Sequence, residues 1–579
     1  MPEQGDPTAN LRNLLNRRPH PRIEGLSLSS VSPDNINKII KGLKNSKSCG
    51  LDNLDTFIIK LIRPYIVPSI THIVNISIST EEFPSLYKRA KVVPLHKGKD
   101  APATQPKSYR PVSILPVISK IIERVIQTQI TDYMNRAQLL HPNHHAYRTF
   151  HSTTSAMLSM HDSWVEAAER GELAGVAMID MSAAFDVVDI KLLLEKCKLL
   201  NFENNTLKWL SSYLTGRQQA VYIGGFLSPM LSLEAGVPQG SILGPLLYTV
   251  YTVDFPEVVH QNDCPHNQEE QAFKFRTMCT ECGGIVCYAD DSTYTATART
   301  TDELSNKLNT KYKVMSEYLT ENRLCINSDK THLLLMSTKQ KKRKNKDLNI
   351  SLNTGNEIIT TSRTETLLGF QIHENMGFSE HVIDSKHSLV KTLNKQIGAL
   401  KKIKKAASFK SKLNIATGII MSKILYLLPL YCGCPEYMLT ALQTKQSETM
   451  RLVTGRRWVV PGRKLVSTKE LLKQCNWLSI RQLSFYTTVL TTHNTLVYQT
   501  PEVLYEKLTC GQKQTTRATT NQEMERSYVD EAQLSLAATS WRWRGHQLHS
   551  KIPLKMQIEK NLKIFKLQLK SWVRENVPI

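Results

Sequence analysis

Three aspartates occupy positions where carboxylates could hold metal ions. Asp180 follows an apolar, strand-like run, and Asp290 and Asp291 lie between two β-like runs that predict a tight hairpin. A strand end and a hairpin tip on adjacent strands would bring these carboxylates to one face. That arrangement suits two magnesium ions about 3.5–4 Å apart, which activate an attacking 3′-hydroxyl and stabilise a leaving pyrophosphate.

An Asp-Asp doublet at a turn is also ordinary turn chemistry, because aspartate forms local hydrogen bonds there. A catalytic role is favoured by the motifs that accompany the doublet. In chain order these are Asp180 with Phe185, Gly236-Val237-Pro238-Gln239-Gly240-Ser241, Tyr288-Ala289-Asp290-Asp291, Asn327 with Lys330, and Leu368-Gly369-Phe370.

The elements that position these motifs are predicted from residue patterns. The residue patterns of 173–370 predict a strand, a helix at 190–200, the hairpin and a second helix. At the start of this second helix, Thr300 and Glu303 have the spacing of a capping box. Beyond about residue 380, helical patterns with lysine-rich faces dominate. Residues 1–30 predict a linker, and order is expected to begin with a helix capped by Ser32 that ends at Cys49-Gly50.

Length, charge and cysteine content limit the function classes. A chain of 579 residues predicts several domains, and a formal net charge of +23 favours a polyanionic partner such as nucleic acid. The 11 cysteines and the polar start, without a hydrophobic leader, predict a reduced intracellular location, in the nucleus, the cytoplasm or both. No run approaches the roughly 18–20 apolar residues that span a bilayer, so we expect no membrane partner.

The motif series resembles the palm of a reverse transcriptase, of the non-LTR retrotransposon type related to jockey-like elements. The resemblance implies that Asp180, Asp290 and Asp291 are catalytic and bind Mg²⁺ or Mn²⁺, with the main-chain carbonyl of Met181 as a further ligand. Phe185 matches the aromatic residue that excludes a ribose 2′-hydroxyl; the alternative is a core phenylalanine beneath a strand.

Further residues match nucleotide-binding positions of this family. Gln239 and Gly240 belong to the loop that touches the template base and the incoming nucleotide, and Lys330 matches a lysine near the leaving phosphate. Arg110, in Ser108-Tyr109-Arg110-Pro111-Val112-Ser113, and Arg148, in Ala146-Tyr147-Arg148, are candidates for gripping phosphate. Lys91 and Lys97 are weaker candidates. Ala146 replaces the family's usual glycine.

The resemblance implies an α/β (α+β) right-hand polymerase. We predict fingers at 31–172, a palm with motifs A to E at 173–370, a helical thumb at 371–470 and a helical C-terminal region at 471–579. Leu368-Gly369-Phe370 resembles the primer-grip region. Basic clusters at 339–346, 401–405 and 456–457 could contact phosphate, although the first could equally be a localisation signal or a solvated loop.

An insertion at 256–284 contains Cys264, His266, Cys279 and Cys282, whose spacing could form a structural zinc site. His260 is an alternative fourth ligand, and free reduced cysteines in an irregular loop are the competing interpretation.

The resulting hypothesis is an RNA-directed DNA polymerase that uses an RNA template, a DNA primer or target, and deoxynucleoside triphosphates. A separate endonuclease is expected to nick the target, because the chain begins close to the predicted fingers. The alternatives are a catalytically decayed, nucleic-acid-binding remnant of such an element, and another palm polymerase such as an intron-encoded reverse transcriptase.

Overall fold

The computed structural model of the chain describes nine segments: residues 6–17, 24–98, 101–259, 283–344, 348–355, 357–431, 433–456, 466–513 and 540–579. The chain divides into two compact units. Unit 1 comprises Met1–Tyr147, Asp180–Pro265 and Tyr312–Asn327, and unit 2 comprises Arg148–Ile179, His266–Lys311 and Ser328–Ile579. These units do not coincide with the predicted fingers, palm and thumb, whose boundaries stay a prediction.

Unit 1 combines helices with one mixed sheet. Its helices are α1 (Ala9–Arg17), α2 (Pro33–Gly42), α3 (Thr56–Leu61), α4 (Arg63–Ser79), α5 (Val117–Arg136), α7 (Ile190–Leu199), α8 (Asn204–Leu214), α9 (Gly244–Tyr251) and α10 (Phe255–Val258). Its strands are β1 (Arg89–His96), β2 (Tyr109–Ile114), β4 (Arg217–Ile223), β5 (Phe226–Leu227) and β6 (Leu231–Leu233). The strand order is β2-β1-β4-β5, with β6 also paired to β4.

The start of unit 1 differs from the predicted linker. Helix α1 lies within it, and its Leu11, Leu14 and Leu15 are buried. These leucines recur at helical spacing, which supplies the apolar face that orders the segment. The helix capped by Ser32 is confirmed, since the Ser32 side chain accepts a hydrogen bond from the Asn35 amide, but it ends at Gly42 rather than at Cys49-Gly50.

A buried ion pair connects three helical segments of unit 1. The Lys196 ammonium donates to Asp254 Oδ1 at 2.9 Å and to the Tyr251 carbonyl at 2.7 Å, and both charged side chains are fully buried. The Tyr318 hydroxyl donates to the same Asp254 oxygen at 2.7 Å. Burial lowers the pKa of Lys196, and the neighbouring Asp254 carboxylate partly offsets that fall.

Unit 2 is built on a six-stranded sheet with the order β10-β11-β9-β3-β8-β7. Its strands, with a separate β12–β13 pair, are β3 (Leu173–Ile179), β7 (Gly284–Tyr288), β8 (Asp291–Ala298), β9 (His332–Met336), β10 (Ser351–Asn353), β11 (Ile358–Ser362), β12 (Thr364–Leu367) and β13 (Phe370–His373). Strand β3 is paired on both edges and all seven of its residues are buried, which explains its continuous apolar sequence.

Helices form the rest of unit 2. They are α6 (Thr153–Glu169), α12 (Lys339–Lys344), α13 (Leu389–Ile403), α14 (Phe409–Ile415), α15 (Ser422–Leu425), α16 (Leu428–Tyr431), α17 (Glu436–Thr454), α18 (Thr468–Cys475), α19 (Ile480–Tyr498), α20 (Glu502–Lys513), α21 (Trp541–Ser550), α22 (Leu554–Gln557) and α23 (Leu562–Asn576). Two π-helical segments, Glu380–Asp384 and Ala416–Met421, lie among them. Helix α11 (Thr301–Glu321) begins in unit 2 and ends in unit 1. The mixed α/β composition confirms the predicted fold class.

A buried carboxylate joins the C-terminal helices to the core of unit 2. Asp162 of α6 accepts hydrogen bonds from the amides of Trp541 and Arg542 at 2.9 and 3.0 Å, and so caps the start of α21. Arg542 also pairs with Glu166 of α6 at 3.1 Å. The side chain of Trp541 is buried. The C-terminal region is therefore an integral part of unit 2.

No helix in the described part of the chain combines the length and the apolar character needed to cross a membrane.

The Lys196–Asp254 pair gives a stability prediction. Lys196→Met should lower the free energy of unfolding by about 3–5 kcal/mol, because it leaves Asp254 charged and unpaired in the core. Lys307→Met is the matched control, since Lys307 pairs with Glu303 on the surface of α11 and should cost less than about 1 kcal/mol. Urea unfolding measures both values, and equal losses would contradict the proposed role of the buried pair.

Candidate active site

The hairpin that carries Asp290 and Asp291 is a two-residue turn between β7 and β8. Tyr288 pairs with Asp291, so Ala289 and Asp290 form the turn. Ala289 has a φ of +58°, a left-handed conformation that costs an alanine roughly 1–2 kcal/mol. Asp290 is half-buried and Asp291 is exposed at the first position of β8. The predicted tight hairpin is confirmed.

The β3–β8 pairing defines the end of the sheet near this hairpin. Ile179, the last residue of β3, pairs with Ser292 in antiparallel register. Asp180 directly follows Ile179 in the chain, just as Asp291 directly precedes Ser292. Asp180 and Asp291 are therefore each one residue away from the same residue pair of the β3–β8 ladder.

The backbone at Asp180 is held by a segment that follows α11. The Ser182 amide donates to the Cys325 carbonyl and the Asn327 amide donates to the Asp180 carbonyl, both at 2.9 Å. These bonds flank an antiparallel bridge between Met181 and Ile326. In such a non-hydrogen-bonded pair the carbonyl of Met181 points away from the neighbouring segment. The predicted motif residue Asn327 thus contributes its main-chain amide to the position of Asp180.

Phe185 lies against the loop that was predicted to meet the template base. Its ring packs on Tyr248 with centroids 4.9 Å apart, and its carbonyl accepts a hydrogen bond from the Val237 amide at 2.8 Å. The side chain is half-buried. The structure therefore brings Phe185 and the 236–241 loop together.

Two glycines in that loop are required by close backbone contacts. Gly236 has a φ of +84°, and a Cβ there would lie 2.6 Å from the Asp186 carbonyl oxygen. Gly240 has a φ of +117°, and its Cβ would lie 2.5 Å from the Ser113 carbonyl oxygen. The Ser113 amide also donates to the Gln239 carbonyl at 2.7 Å. Gly236 thus lets the loop approach Asp186, and Gly240 lets it approach strand β2.

Gln239 makes a contact that the sequence did not indicate. Its side-chain amide donates to both carboxylate oxygens of Asp186, at 3.1 and 3.0 Å. Burial raises the pKa of Asp186, and the hydrogen bond from Gln239 partly offsets that rise. Asp186 therefore orients the Gln239 side chain.

Glu123 is a second residue that sequence reasoning missed. This fully buried carboxylate of α5 accepts hydrogen bonds from the amides of Ile242 and Leu243 at 2.6 and 3.2 Å. It thus satisfies donors just before α9 and fixes the end of the 236–241 loop. The sequence feature that could have indicated this role is a single glutamate on the apolar face of α5, beside Ile122 and Ile126.

The predicted phosphate-binding cations lie in both units. Arg110 is exposed on β2 in unit 1, whereas Arg148 and Lys330 belong to unit 2. Arg148 is half-buried, and burial lowers its pKa to about 10 while Glu502 opposes that shift. The ammonium of Lys97 donates to the Lys107 carbonyl at 2.6 Å. The contacts of Arg110 and Arg148 with triphosphate or template phosphate, and of Lys330 with the leaving phosphate, stay a prediction.

The predicted primer-grip segment forms a tight turn between β12 and β13. Leu368 and Gly369 have φ values of +48° and +76°, and Leu367 pairs with Phe370. The Tyr426 hydroxyl donates to the Leu368 carbonyl and secures this turn. In the first predicted basic cluster, Lys342 pairs with Glu374 at 2.6 Å.

The candidate zinc ligands Cys264, His266, Cys279 and Cys282, with His260, lie outside the described residues. Among the residues that are described, no three or more His, Cys, Asp or Glu side chains lie close enough together to hold a metal ion.

Residues 95–372 match the family model of the reverse transcriptase (RNA-dependent DNA polymerase). The chain contains a reverse transcriptase domain. This domain includes the hairpin, the 236–241 loop, Asp180 and the primer-grip turn described above, which confirms the family resemblance seen in the motifs.

Relatives of known name support the jockey-like assignment of this reverse transcriptase domain. The chain is 26% identical over 438 residues to the RNA-directed DNA polymerase from mobile element jockey of Drosophila melanogaster, covering 76% of this chain and 45% of that protein. It is 34% identical over 232 residues to the probable RNA-directed DNA polymerase from transposon BS of Drosophila melanogaster, covering 40% and 25% respectively. The probable RNA-directed DNA polymerase from transposon X-element of the same species is 27% identical over 439 residues, covering 75% and 45%. The chain thus spans less than half the length of these relatives.

The turn conformation of Ala289 gives a prediction about the hairpin. Ala289→Val should lower the free energy of unfolding by about 1–2 kcal/mol more than the same change at an ordinary turn, because β-branched residues tolerate a positive φ poorly. Ala103→Val is the matched control, since Ala103 is an exposed turn residue that is not among those with positive φ. Thermal unfolding compares the two variants, and equal effects would show that the left-handed turn is not populated.

Proposed function

We propose that this chain is an RNA-directed DNA polymerase of a non-LTR retrotransposon, which copies an RNA template from a primer 3′-hydroxyl. The observation that supports this most directly is the β3–β8 register within a reverse transcriptase domain. Because Ile179 pairs with Ser292, their chain neighbours Asp180 and Asp291 are both at the same end of this strand pair. The domain match and the presence of all three aspartates favour this activity over a decayed remnant.

Asp180, Asp290 and Asp291 are proposed to bind Mg²⁺ or Mn²⁺, with the Met181 carbonyl as a further ligand. Their oxygen donors suit these hard cations, and the carbonyl of Met181 points away from the Ile326 segment. Magnesium in such sites is typically held by one or two carboxylates together with substrate phosphates, so a preformed cage of protein ligands is not needed. When bound, the ions would activate the attacking hydroxyl and stabilise the leaving pyrophosphate.

The residues around the nucleotide are proposed to position it. Phe185 would exclude a 2′-hydroxyl, and Gln239, oriented by Asp186, and Gly240 would contact the template base and incoming nucleotide. Arg110, Arg148 and Lys330 would contact phosphates as fixed positive charges. This positioning and charge neutralisation should supply most of the rate enhancement.

The remaining assignments follow from this activity. The proposed macromolecular substrates are an RNA template and a DNA primer or target, with deoxynucleoside triphosphates as the small substrate. The proposed fingers, palm and thumb are residues 31–172, 173–370 and 371–470. The nucleus, the cytoplasm or both are the proposed sites of action.

The catalytic assignment predicts the effect of one carboxylate change. Asp290→Asn should slow DNA primer extension on an RNA template by about a thousandfold or more, because a metal ligand stabilises the transition state by several kcal/mol. Binding of the RNA–DNA duplex should change little. Asp302→Asn, an exposed change at the start of α11, is the matched control and should extend normally. Undiminished extension by Asp290→Asn would falsify the assignment.

The sugar-selection role predicts a change in substrate preference. Phe185→Val should reduce the preference for deoxynucleotides over ribonucleotides by about 10- to 100-fold, because the smaller side chain leaves room for the 2′-hydroxyl. Single-nucleotide incorporation with matched dNTP and rNTP series measures this ratio. Phe57→Val, an exposed change on α3, should leave it unaltered. An unchanged ratio in Phe185→Val would instead support a packing role against Tyr248.

A further inference from the structure

The backbone at Asp180 is held by the segment 322–327, which directly follows α11. The Asn327 amide donates to the Asp180 carbonyl, and the Ser182 amide donates to the Cys325 carbonyl, both at 2.9 Å. Contacts that fix the 322–327 segment therefore also fix the backbone at Asp180.

The start of this segment is bonded to a buried tyrosine of α9. Tyr251 and Asn322 are both fully buried, and the Tyr251 hydroxyl donates to the Asn322 carbonyl at 2.6 Å. Burial raises the pKa of Tyr251 to about 12, so the hydroxyl keeps its proton at neutral pH. Because a buried carbonyl that loses its donor is costly, this bond fixes where the segment begins.

Tyr251 is itself held in place by the buried ion pair of unit 1. The Lys196 ammonium donates to the Tyr251 carbonyl at 2.7 Å and to Asp254 at 2.9 Å. Asp254 also accepts a hydrogen bond from the Tyr318 hydroxyl, and the Asn322 side-chain amide donates to the Tyr318 carbonyl at 2.9 Å. The ends of α9 and α11 are thus joined, and the Tyr251 hydroxyl is a fixed donor between them.

The same helix contacts the chain on the Asp180 side. The Tyr248 hydroxyl of α9 donates to the Met181 sulfur at 3.0 Å, and the Tyr248 ring packs on Phe185. Helix α9 therefore contacts both the chain at Met181 and the segment that pairs with it.

A second contact of the segment lies at the surface. Arg323 has a φ of +56°, and its guanidinium pairs with the Asp189 carboxylate. Asp189 also caps α7 by accepting a hydrogen bond from the Leu192 amide at 2.8 Å. The Arg323 side chain is 61% exposed, so solvent screens this ion pair, and the buried Tyr251 bond is the stronger constraint.

We propose that Tyr251 is a positioning residue of the active site, whose hydroxyl holds the 322–327 segment through the Asn322 carbonyl and so sets the position of Asp180. Tyr251 acts through the backbone, because its hydroxyl bonds to a main-chain carbonyl. Residues that support a metal ligand typically change metal affinity or activity by about 10- to 100-fold when they are altered. The inference rests on the proposed function in that Asp180 is the proposed metal ligand.

Hydrogen exchange tests the contact without metal or substrate. Tyr251→Phe removes only the hydroxyl and should speed amide exchange at Ser182 and Asn327 by about fivefold or more. Tyr133→Phe is the matched control, since Tyr133 is 3% exposed and donates to the Leu200 carbonyl at 2.8 Å, away from the segment. Equal exchange at these two amides in both variants would overturn the proposal.

Metal binding tests the consequence for Asp180. In a complex of the chain with RNA template, dideoxy-terminated DNA primer and deoxynucleotide, electron paramagnetic resonance measures the Kd of Mn²⁺ without turnover. Tyr251→Phe should raise this Kd by about tenfold, and Tyr133→Phe should leave it unchanged. In primer extension, Tyr251→Phe should lower kcat by about tenfold at an unchanged KM for deoxynucleotide. Faster exchange with an unchanged Kd for Mn²⁺ would show that Tyr251 has a merely structural role.

Arg323→Gln tests the same segment from the surface and remains informative if Tyr251→Phe does not fold. It should speed exchange at Ser182 and Asn327 and raise the Kd of Mn²⁺, in both cases by less than Tyr251→Phe. Lys208→Gln is the matched control, because Lys208 is 62% exposed and pairs with Glu81 at 2.9 Å elsewhere in unit 1. Identical behaviour of Arg323→Gln and Lys208→Gln would count against a positioning role of the segment.

Asp180→Asn separates this inference from the proposed function. If Asp180→Asn leaves the Kd of Mn²⁺ unchanged, the metal-binding role proposed for Asp180 is wrong. If Asp180→Asn raises that Kd while Tyr251→Phe and Tyr133→Phe both bind like the native chain, the role proposed for Tyr251 alone is wrong.

Discussion

Antiparallel pairing of β3 with β8 is the constraint on which the candidate site depends. Strand β3 is hydrogen-bonded on both edges and fully buried, so a shift of register would mismatch both ladders and draw the flanking Glu172 or Asp180 into a buried position. The register that places Ile179 opposite Ser292 therefore also fixes where the chain leaves the sheet toward Asp180 and Asp291. The two-residue turn then leaves Asp290 no freedom to move along the ladder.

The nucleotide-side loop is fixed by a different kind of interaction. Gly236 and Gly240 allow backbone approaches that any Cβ would block, and the buried Glu123 carboxylate holds the amides of Ile242 and Leu243. Such contacts are costly to break, because a buried carboxylate without its donors is strongly destabilised. A rigid loop is what positioning of a template base and an incoming nucleotide would require.

Local patterns predicted the elements of the site well. The apolar run before Asp180, the hairpin around Asp290 and the capped helix after Thr300 each depend on neighbouring residues, and the structure contains all three. Glu123, the Asp186–Gln239 contact and the Lys196–Asp254 pair were not predictable, because each joins residues more than 50 positions apart. The helix at Leu11 was missed because the proline- and polar-rich composition around it outweighed its short leucine pattern.

The metal-binding role of the aspartates is tested most directly by locating the metal in a complex of this chain with an RNA template, a DNA primer, a non-hydrolysable deoxynucleotide and Mn²⁺. Anomalous X-ray scattering identifies the ions independently of the protein density. We expect manganese peaks within coordination distance of Asp180 and Asp290, next to the nucleotide phosphates and the primer 3′-end. Peaks elsewhere, or a nucleotide bound away from these aspartates, would contradict it.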